Sequence, residues 1–277
     1  MCKGLRQKSQ IIYIIEWRIF MKNKILFFDI DGTILDNDKN IPDGVEDSLQ
    51  KAKDNGHEIV ISTGRSPFTA KSVLDRLKID SFVCYNGQIV QFKGKILHKG
   101  ILAKEELKHL TDFANERKQP LVYMDSDEMV SNFPDHQDVF DSISTLKIKF
   151  PRYAEDFFLT NDIHQALIFC SLEEQKEYEQ AFPNLKFVRW HRVSCDVLPK
   201  GVSKANGMDL LLKHIGRGPE DAIAFGDGLN DIEMLQFAGT SVAMGNCVEE
   251  LKEHATFVTD HVSESGLTNA MKKLSLI

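Results

Sequence analysis

Three short apolar runs, each closed by a carboxylate or a hydroxyl, constrain this chain more than any other feature. Ile25-Leu26-Phe27-Phe28 runs into Asp29, Ile59-Val60-Ile61, preceded by His57-Glu58, into Ser62-Thr63, and Ala222-Ile223-Ala224-Phe225 into Gly226-Asp227. Runs of this length without polar alternation are read as strands buried on both faces, which is how the strands of a parallel sheet sit. Between the first two, Pro42 to Asn55 carries Val45, Leu49 and Ala52 at helical spacing and stops at Asn55-Gly56. A second helix is predicted from Pro67 to Leu77, with Ser66 as N-cap and Pro67 at the first helical position. Ser81 to Tyr85 reads as a third strand. The order βαβαβ predicts an α/β fold: a doubly wound, parallel-sheet, Rossmann-like core with right-handed crossovers. The pattern returns near the C-terminus, where Thr240 to Met244 and Thr256 to Val258 read as strands, and 230–237, 249–254 and 266–274 as helices.

The texture between these halves differs. Residues 88–92 and 95–98 flank Lys93-Gly94 as a hairpin, helical patterns cover 104–118 and 173–182, and strand-like runs fall at 121–124, 166–170 and 186–190. A mixed block of this size is a second domain. The expected organisation is a catalytic core over 21–85 and 199–277 with an inserted α+β cap over 86–198. Residues 1–20 read as an extension outside the βαβ pattern. Their apolar run, Ile11 to Ile15, is too short for a signal peptide and is broken by Glu16 and Arg18. Met21 is the alternative start, and a chain beginning there is expected to keep full activity and stability.

The formal charge of −7 gives no chain-wide basic footprint for nucleic acid. No run approaches the roughly 20 apolar residues of a membrane span. Five cysteines, an odd number and none in CxxC spacing, fit free thiols of a reducing cytoplasm better than a disulfide frame or a zinc site.

Four features fall at or near the carboxyl ends of predicted core strands, the edge where open α/β sheets bind ligands. They are Asp29-Ile30-Asp31-Gly32-Thr33, Ser62-Thr63-Gly64-Arg65, Lys204, and Gly226-Asp227-Gly228-Leu229-Asn230-Asp231. Asp29, Asp31, Asp227 and Asp231 would repel one another without a hard divalent cation, and Mg2+ suits few carboxylates supplemented by water and phosphate oxygens. Gly32 lets the chain turn so that amides face an anion, and Thr33, Thr63 and Lys204 add hydroxyls and a positive charge. Each piece alone has a plainer reading: a turn, a helix cap, a solvated lysine. Together, in this order, they form a phosphoryl-transfer arrangement.

These motifs resemble those of the haloacid dehalogenase superfamily of aspartate-nucleophile phosphatases. Within it, the chain is similar to the Cof-type subfamily, whose large α/β cap lies between the second and third motifs. Tyr85-Asn86-Gly87, Val242 to Asn246 and Phe257-Val258-Thr259 also match; Ser265-Gly266 departs from the more common acidic-Gly pair, outside the catalytic set. The resemblance implies that Asp29 is the nucleophile and Asp31 the general acid–base. Asp29 and Asp227 would bind Mg2+ through side chains, Asp31 through its carbonyl, and Asp231 in the inner or outer shell. Gly32, Thr33, Thr63, Gly64, Lys204 and Asn230 would bind phosphate, with Lys204 also restraining Asp29.

The function this implies is Mg2+-dependent hydrolysis of small phosphorylated metabolites, sugar or cofactor phosphates, through an aspartyl-phosphate. The alternatives are a phosphohexomutase, which bisphosphate activation would reveal, and a non-catalytic metabolite-binding regulator, against which the intact acidic set argues. Substrate specificity is expected from Arg65, Asn86, His191, Arg192 and Asp196. Arg189-Trp190-His191-Arg192 is the densest basic-aromatic cluster, though its plainer reading is a solvated strand with the aromatic turned inward.

Overall fold

The computed structural model describes residues 23–277; the expectation about residues 1–20 lies outside them. Among the described residues the strands are, in chain order, β1 (Ile25–Phe28), β2 (Glu58–Ser62), β3 (Phe82–Cys84), β4 (Ile89–Phe92), β5 (Lys95–Lys99), β6 (Leu121–Met124), β7 (Met129–Ser131), β8 (Arg152–Tyr153), β9 (Gln165–Phe169), β10 (Leu185–His191), β11 (Ser194–Pro199), β12 (Ala222–Gly226), β13 (Thr240–Ala243) and β14 (Phe257–Val258). The α-helices are α1 (Val45–Asp54), α2 (Pro67–Leu77), α3 (Lys104–Glu116), α4 (Gln137–Ile143), α5 (Phe157–Thr160), α6 (Leu172–Ala181), α7 (Lys204–His214), α8 (Ile232–Phe237), α9 (Glu249–Lys252) and α10 (Gly266–Lys273). None is long and apolar enough to cross a membrane.

Two compact units divide the chain. One holds the described residues up to Ile61 together with Gly216–Ile277, the other Ser62–Ile215. These limits differ from the sequence-based division at 85 and 199. β3 and α7 pack with the turn after β3 and with β4, inside the second unit.

The first unit carries parallel strands in the order β14, β13, β12, β1, β2. In β1, Leu26, Phe27 and Phe28 are fully buried, as a strand covered on both faces requires. Phe28 lies in register with Phe225 of β12, and their rings stack at 4.6 Å. The Asp29 amide then donates to the Phe225 carbonyl at 3.0 Å. This register brings the end of β1 and the end of β12 to one edge, so Asp29 and Asp227 leave their strands side by side.

The second unit contains the antiparallel meander β3-β4-β5 and a six-stranded sheet ordered β10, β11, β9, β6, β7, β8. Its pairs are antiparallel except β7 with β8. Alternate residues Leu121 and Tyr123, Ala166 and Ile168, Cys195 and Val197 share one face, where Leu107 and Leu110 of α3 and Tyr178 of α6 cover them. A capping box, Ser171 with Glu174, starts α6. Arg189 is consumed by this unit's own structure, donating to the carbonyls of Cys170, Ser171, His191 and Arg192 and to Gln175.

Candidate active site

In the first unit the chain turns sharply after Asp29. The Gly32 amide donates to the Leu35 carbonyl at 2.8 Å and the Leu35 amide to Ile30 at 2.8 Å, closing a loop that carries Asp31 on its outside. Gly32 has φ +79°, and a Cβ there would lie 2.0 Å from Asp227 Oδ2, so this position excludes every side chain. Its carbonyl accepts from Asn246 Nδ2 at 2.8 Å, and the same amide group lies 3.4 Å from Asp227 Oδ2. The Thr33 hydroxyl donates to Asp227 Oδ1 at 3.1 Å, which makes it a support for that carboxylate.

Asp231 is fully buried, and its Oδ2 accepts from the amides of Asp227 and Gly228, both at 2.9 Å. It therefore shapes the loop after β12, within which Asn230 sits half-buried on a single 3-10 turn. One oxygen each from Asp29, Asp227 and Asp231 lies within 4.8 Å of the other two. Asp29 and Asp231 are buried, where uncompensated charge is costly. Three hard oxygen donors without nitrogen or sulfur fit Mg2+. The Asp31 side chain is not one of this trio and pairs with Lys39, Nζ to Oδ1 at 2.6 Å.

The second unit gathers a different set. Thr63 is 1 % exposed; its amide donates to the Val83 carbonyl at 2.8 Å, and its carbonyl accepts from the Asn86 amide at 3.0 Å. The Arg65 amide donates to Thr63 Oγ1 at 3.1 Å. Tyr85, Asn86 and Gly87 have φ of 52°, 52° and 111°, so three successive residues take left-handed backbone. A Cβ on Gly87 would lie 2.3 Å from the Ser203 carbonyl, and one on Gly207 would lie 2.4 Å from Val83 Cγ1. These approaches seat the start of α7 on the turn. Ser203 caps the helix by accepting from the Asn206 amide, and Lys204, the first helical residue, is fully buried.

Asn86 Nδ2 donates to Asp196 Oδ2 at 2.9 Å and to Gln165 Oε1 at 3.2 Å. A Cβ on Gly64 would meet both Asn86 and Asp196, at 3.2 and 3.4 Å. Burial pushes the Asp196 carboxyl up to about 7, against the opposing pull of the Asn86 hydrogen bond and the Lys204 charge. The buried Trp190 Nε1 stands near this carboxyl but short of full hydrogen-bond geometry. Thr63, Gly64, Asn86, Asp196 and Lys204 thus form one buried polar neighbourhood within the unit.

The other expected specificity residues lie elsewhere in the unit. Arg65 Nη1 turns back to the Thr69 carbonyl at 3.4 Å. His191 and Arg192 flank the β10–β11 turn. Arg192 is exposed and pairs with Asp141 at 3.0 Å, while desolvation lowers the pKa of His191, helped by the Arg192 charge. Sequence reasoning missed three contributors. Asn246 shows in the sequence only as the end of a motif, Gln165 begins a strand, and Lys39 sits in a polar loop with nothing to distinguish it from a solvated lysine.

Comparison with known proteins agrees with this chemistry. A family model described as haloacid dehalogenase-like hydrolase matches residues 26–271. YkrA of Bacillus subtilis, provisionally named a phosphatase, is 44 % identical over 93 % of this chain and 100 % of its own. The 5-amino-6-(5-phospho-D-ribitylamino)uracil phosphatase YcsE of the same organism is 27 % identical over 90 % of this chain and 94 % of its own. Among solved structures, the subclass IIB sugar phosphatase BT4131 is similar with a TM-score of 0.84 and 30 % identity, over 92 % of this chain and 100 % of that one. The motif residues at the strand ends, the parallel core and these relatives agree: the chain belongs to the haloacid dehalogenase-like hydrolases and is a phosphatase of that type.

Proposed function

We propose that the protein hydrolyses monophosphates of small polyhydroxylated metabolites, sugars or cofactor precursors, with Mg2+ and through an aspartyl-phosphate on Asp29. The observation that carries this reading is the clustering of Asp29, Asp227 and Asp231 at the ends of β1 and β12. Mg2+ held by these residues would neutralise charge on the phosphoryl oxygens.

An Asp29 carboxylate oxygen attacks phosphorus while the bond to the leaving oxygen breaks, and Asp31 gives that oxygen its proton. Asp31, now a carboxylate, takes a proton from water as the water oxygen attacks phosphorus and the Asp29–phosphorus bond breaks. Thr63 and Lys204 are assigned to the phosphate oxygens, and Asn230 to orienting the loop. Asn86, Gln165, Asp196 and Trp190 present donors and acceptors suited to hydroxyl or amide groups of the leaving group. The phosphatases of a sugar phosphate and of a ribitylamino-uracil phosphate among the relatives support that class.

A panel of phosphorylated metabolites ranked by kcat/KM tests the reading. Polyol and sugar monophosphates should lead, EDTA should abolish turnover, and Mg2+ should restore it. Undiminished hydrolysis after exhaustive chelation would remove the metal, and preference for simple aryl phosphates over every polyol phosphate would remove the substrate class.

A further inference from the structure

Lys39 lies in the loop that follows Asp31, and the structure gives it more order than a loop lysine needs. Asp36 Oδ1 accepts from the amides of Asp38 and Asn40, both at 2.9 Å. The Asp36 amide donates to the Asn40 carbonyl at 2.9 Å and the Lys39 amide to the Asp36 carbonyl at 3.0 Å. Lys39 itself is left-handed, φ 64°, a conformation that suits Asn or Gly better than lysine. Its ammonium meets Asp31 Oδ1 at 2.6 Å, with the two side chains 22 % and 32 % exposed. A partly exposed ion pair of this kind adds little to stability. Stability therefore does not account for the arrangement. The backbone of Asp31 is fixed by the Ile30–Leu35 loop and its bridge to Leu35, which leaves the side-chain torsions to place the carboxyl group.

We propose that Lys39 is a positioning residue for the reaction: it holds the Asp31 carboxyl group in the orientation from which proton transfer occurs. The inference rests on the proposed role of Asp31. A wild-type protein inactive on every phosphomonoester would refute that role, whereas the proposal for Lys39 fails only against an active wild type.

A double-mutant cycle tests it, read with an alkyl and an aryl phosphate. Lys39→Met should lower kcat on both substrates about tenfold, the order expected when a proton-transfer group is slightly misplaced, with KM changed less than twofold. Lys39→Arg, which keeps the charge and donors, should recover most of the loss. In the Asp31→Asn background, Lys39→Met should change the residual aryl-phosphate rate less than twofold, because its partner is already gone. An unchanged kcat in Lys39→Met would overturn the proposal. So would an equal loss in both backgrounds. A loss confined to KM would make Lys39 a leaving-group contact instead, and a melting temperature lowered by more than about 5 °C would make it structural.

Discussion

Asp29 and Asp31 stand two residues apart and meet different neighbours, one in the acidic trio and the other against Lys39. They should fail differently. Asp29→Asn removes the proposed nucleophile, so neither turnover nor covalent phosphoenzyme should form. Asp31→Asn should still be phosphorylated by an activated aryl phosphate, whose leaving group needs little protonation. Hydrolysis of that intermediate should then slow by roughly 100- to 10,000-fold. Acid-quenched protein assayed for bound phosphate separates the two, and label on the Asp29 variant would reverse the assignment. Asp196 carries a different prediction. Its carboxyl is held at about 7 in the fold against 3.8 ordinarily, so the folded state keeps a proton that the unfolded chain has lost between those values. Stability should fall as pH rises from about 4 to 7 and level off above, by up to about 4 kcal/mol. Asp196→Asn should flatten that slope. Urea denaturation at pH 5 and pH 8 compares the two proteins, and parallel losses would acquit Asp196.

At the scale of elements, the turn Tyr85–Gly87 and the first turn of α7 act as one fitting. Gly207→Ala would put a methyl 2.4 Å from Val83 Cγ1 and 3.1 Å from Gly87 Cα. Overpacking of this kind costs about 1–3 kcal/mol, and relief by sliding α7 would carry Lys204 with it. The variant should melt several degrees lower and lose kcat/KM together, whereas Gly216→Ala, with open space around its Cβ, should lose only stability, through its φ of +69°. Melting curves and aryl-phosphate kinetics on the two variants make the comparison. These close approaches were not legible in the sequence, since a glycine inside a helical pattern shows nothing of what passes it. Ends marked by local chemistry were legible. α2 runs from Pro67 to Leu77 behind Ser66, whose hydroxyl accepts from the Thr69 amide, and β1 spans Ile25–Phe28, both as read. β7, α4 and β11 went unread. β11 is buried along Ser194–Leu198 but mixes a serine, a cysteine and an aspartate into that run, so neither alternation nor an apolar stretch marks it. The acidic residues were legible because each ends or follows a strand. Lys39 and Gln165 were not, because their importance comes from partners met through folding.

For the whole molecule, a metal held by the acidic trio would link binding to stability. A cation bound only by the folded state stabilises it by about 2.7 kcal/mol at 100 times its dissociation constant. Saturating Mg2+ should therefore raise the melting temperature by several degrees, and Asp227→Asn should abolish that rise. Calorimetry with and without EDTA checks this independently of activity, and an equal rise in the variant would place the ion elsewhere.

The two units also differ in how the chain supplies them. Ser62–Ile215 is one uninterrupted stretch, while the parallel sheet of the other unit draws β1 and β2 from before it and β12, β13 and β14 from after it. On the ribosome, β1 therefore emerges long before β12, its partner in register. Phe27 and Phe28, buried in the finished sheet, must wait with one flank uncovered while the whole intervening unit is synthesised. At the usual 5–20 residues per second that wait lasts on the order of ten seconds or more, long enough for the later unit to fold first. The acidic edge is thus among the last parts to be assembled, and a nascent chain stalled before Gly216 would carry Asp29 without Asp227.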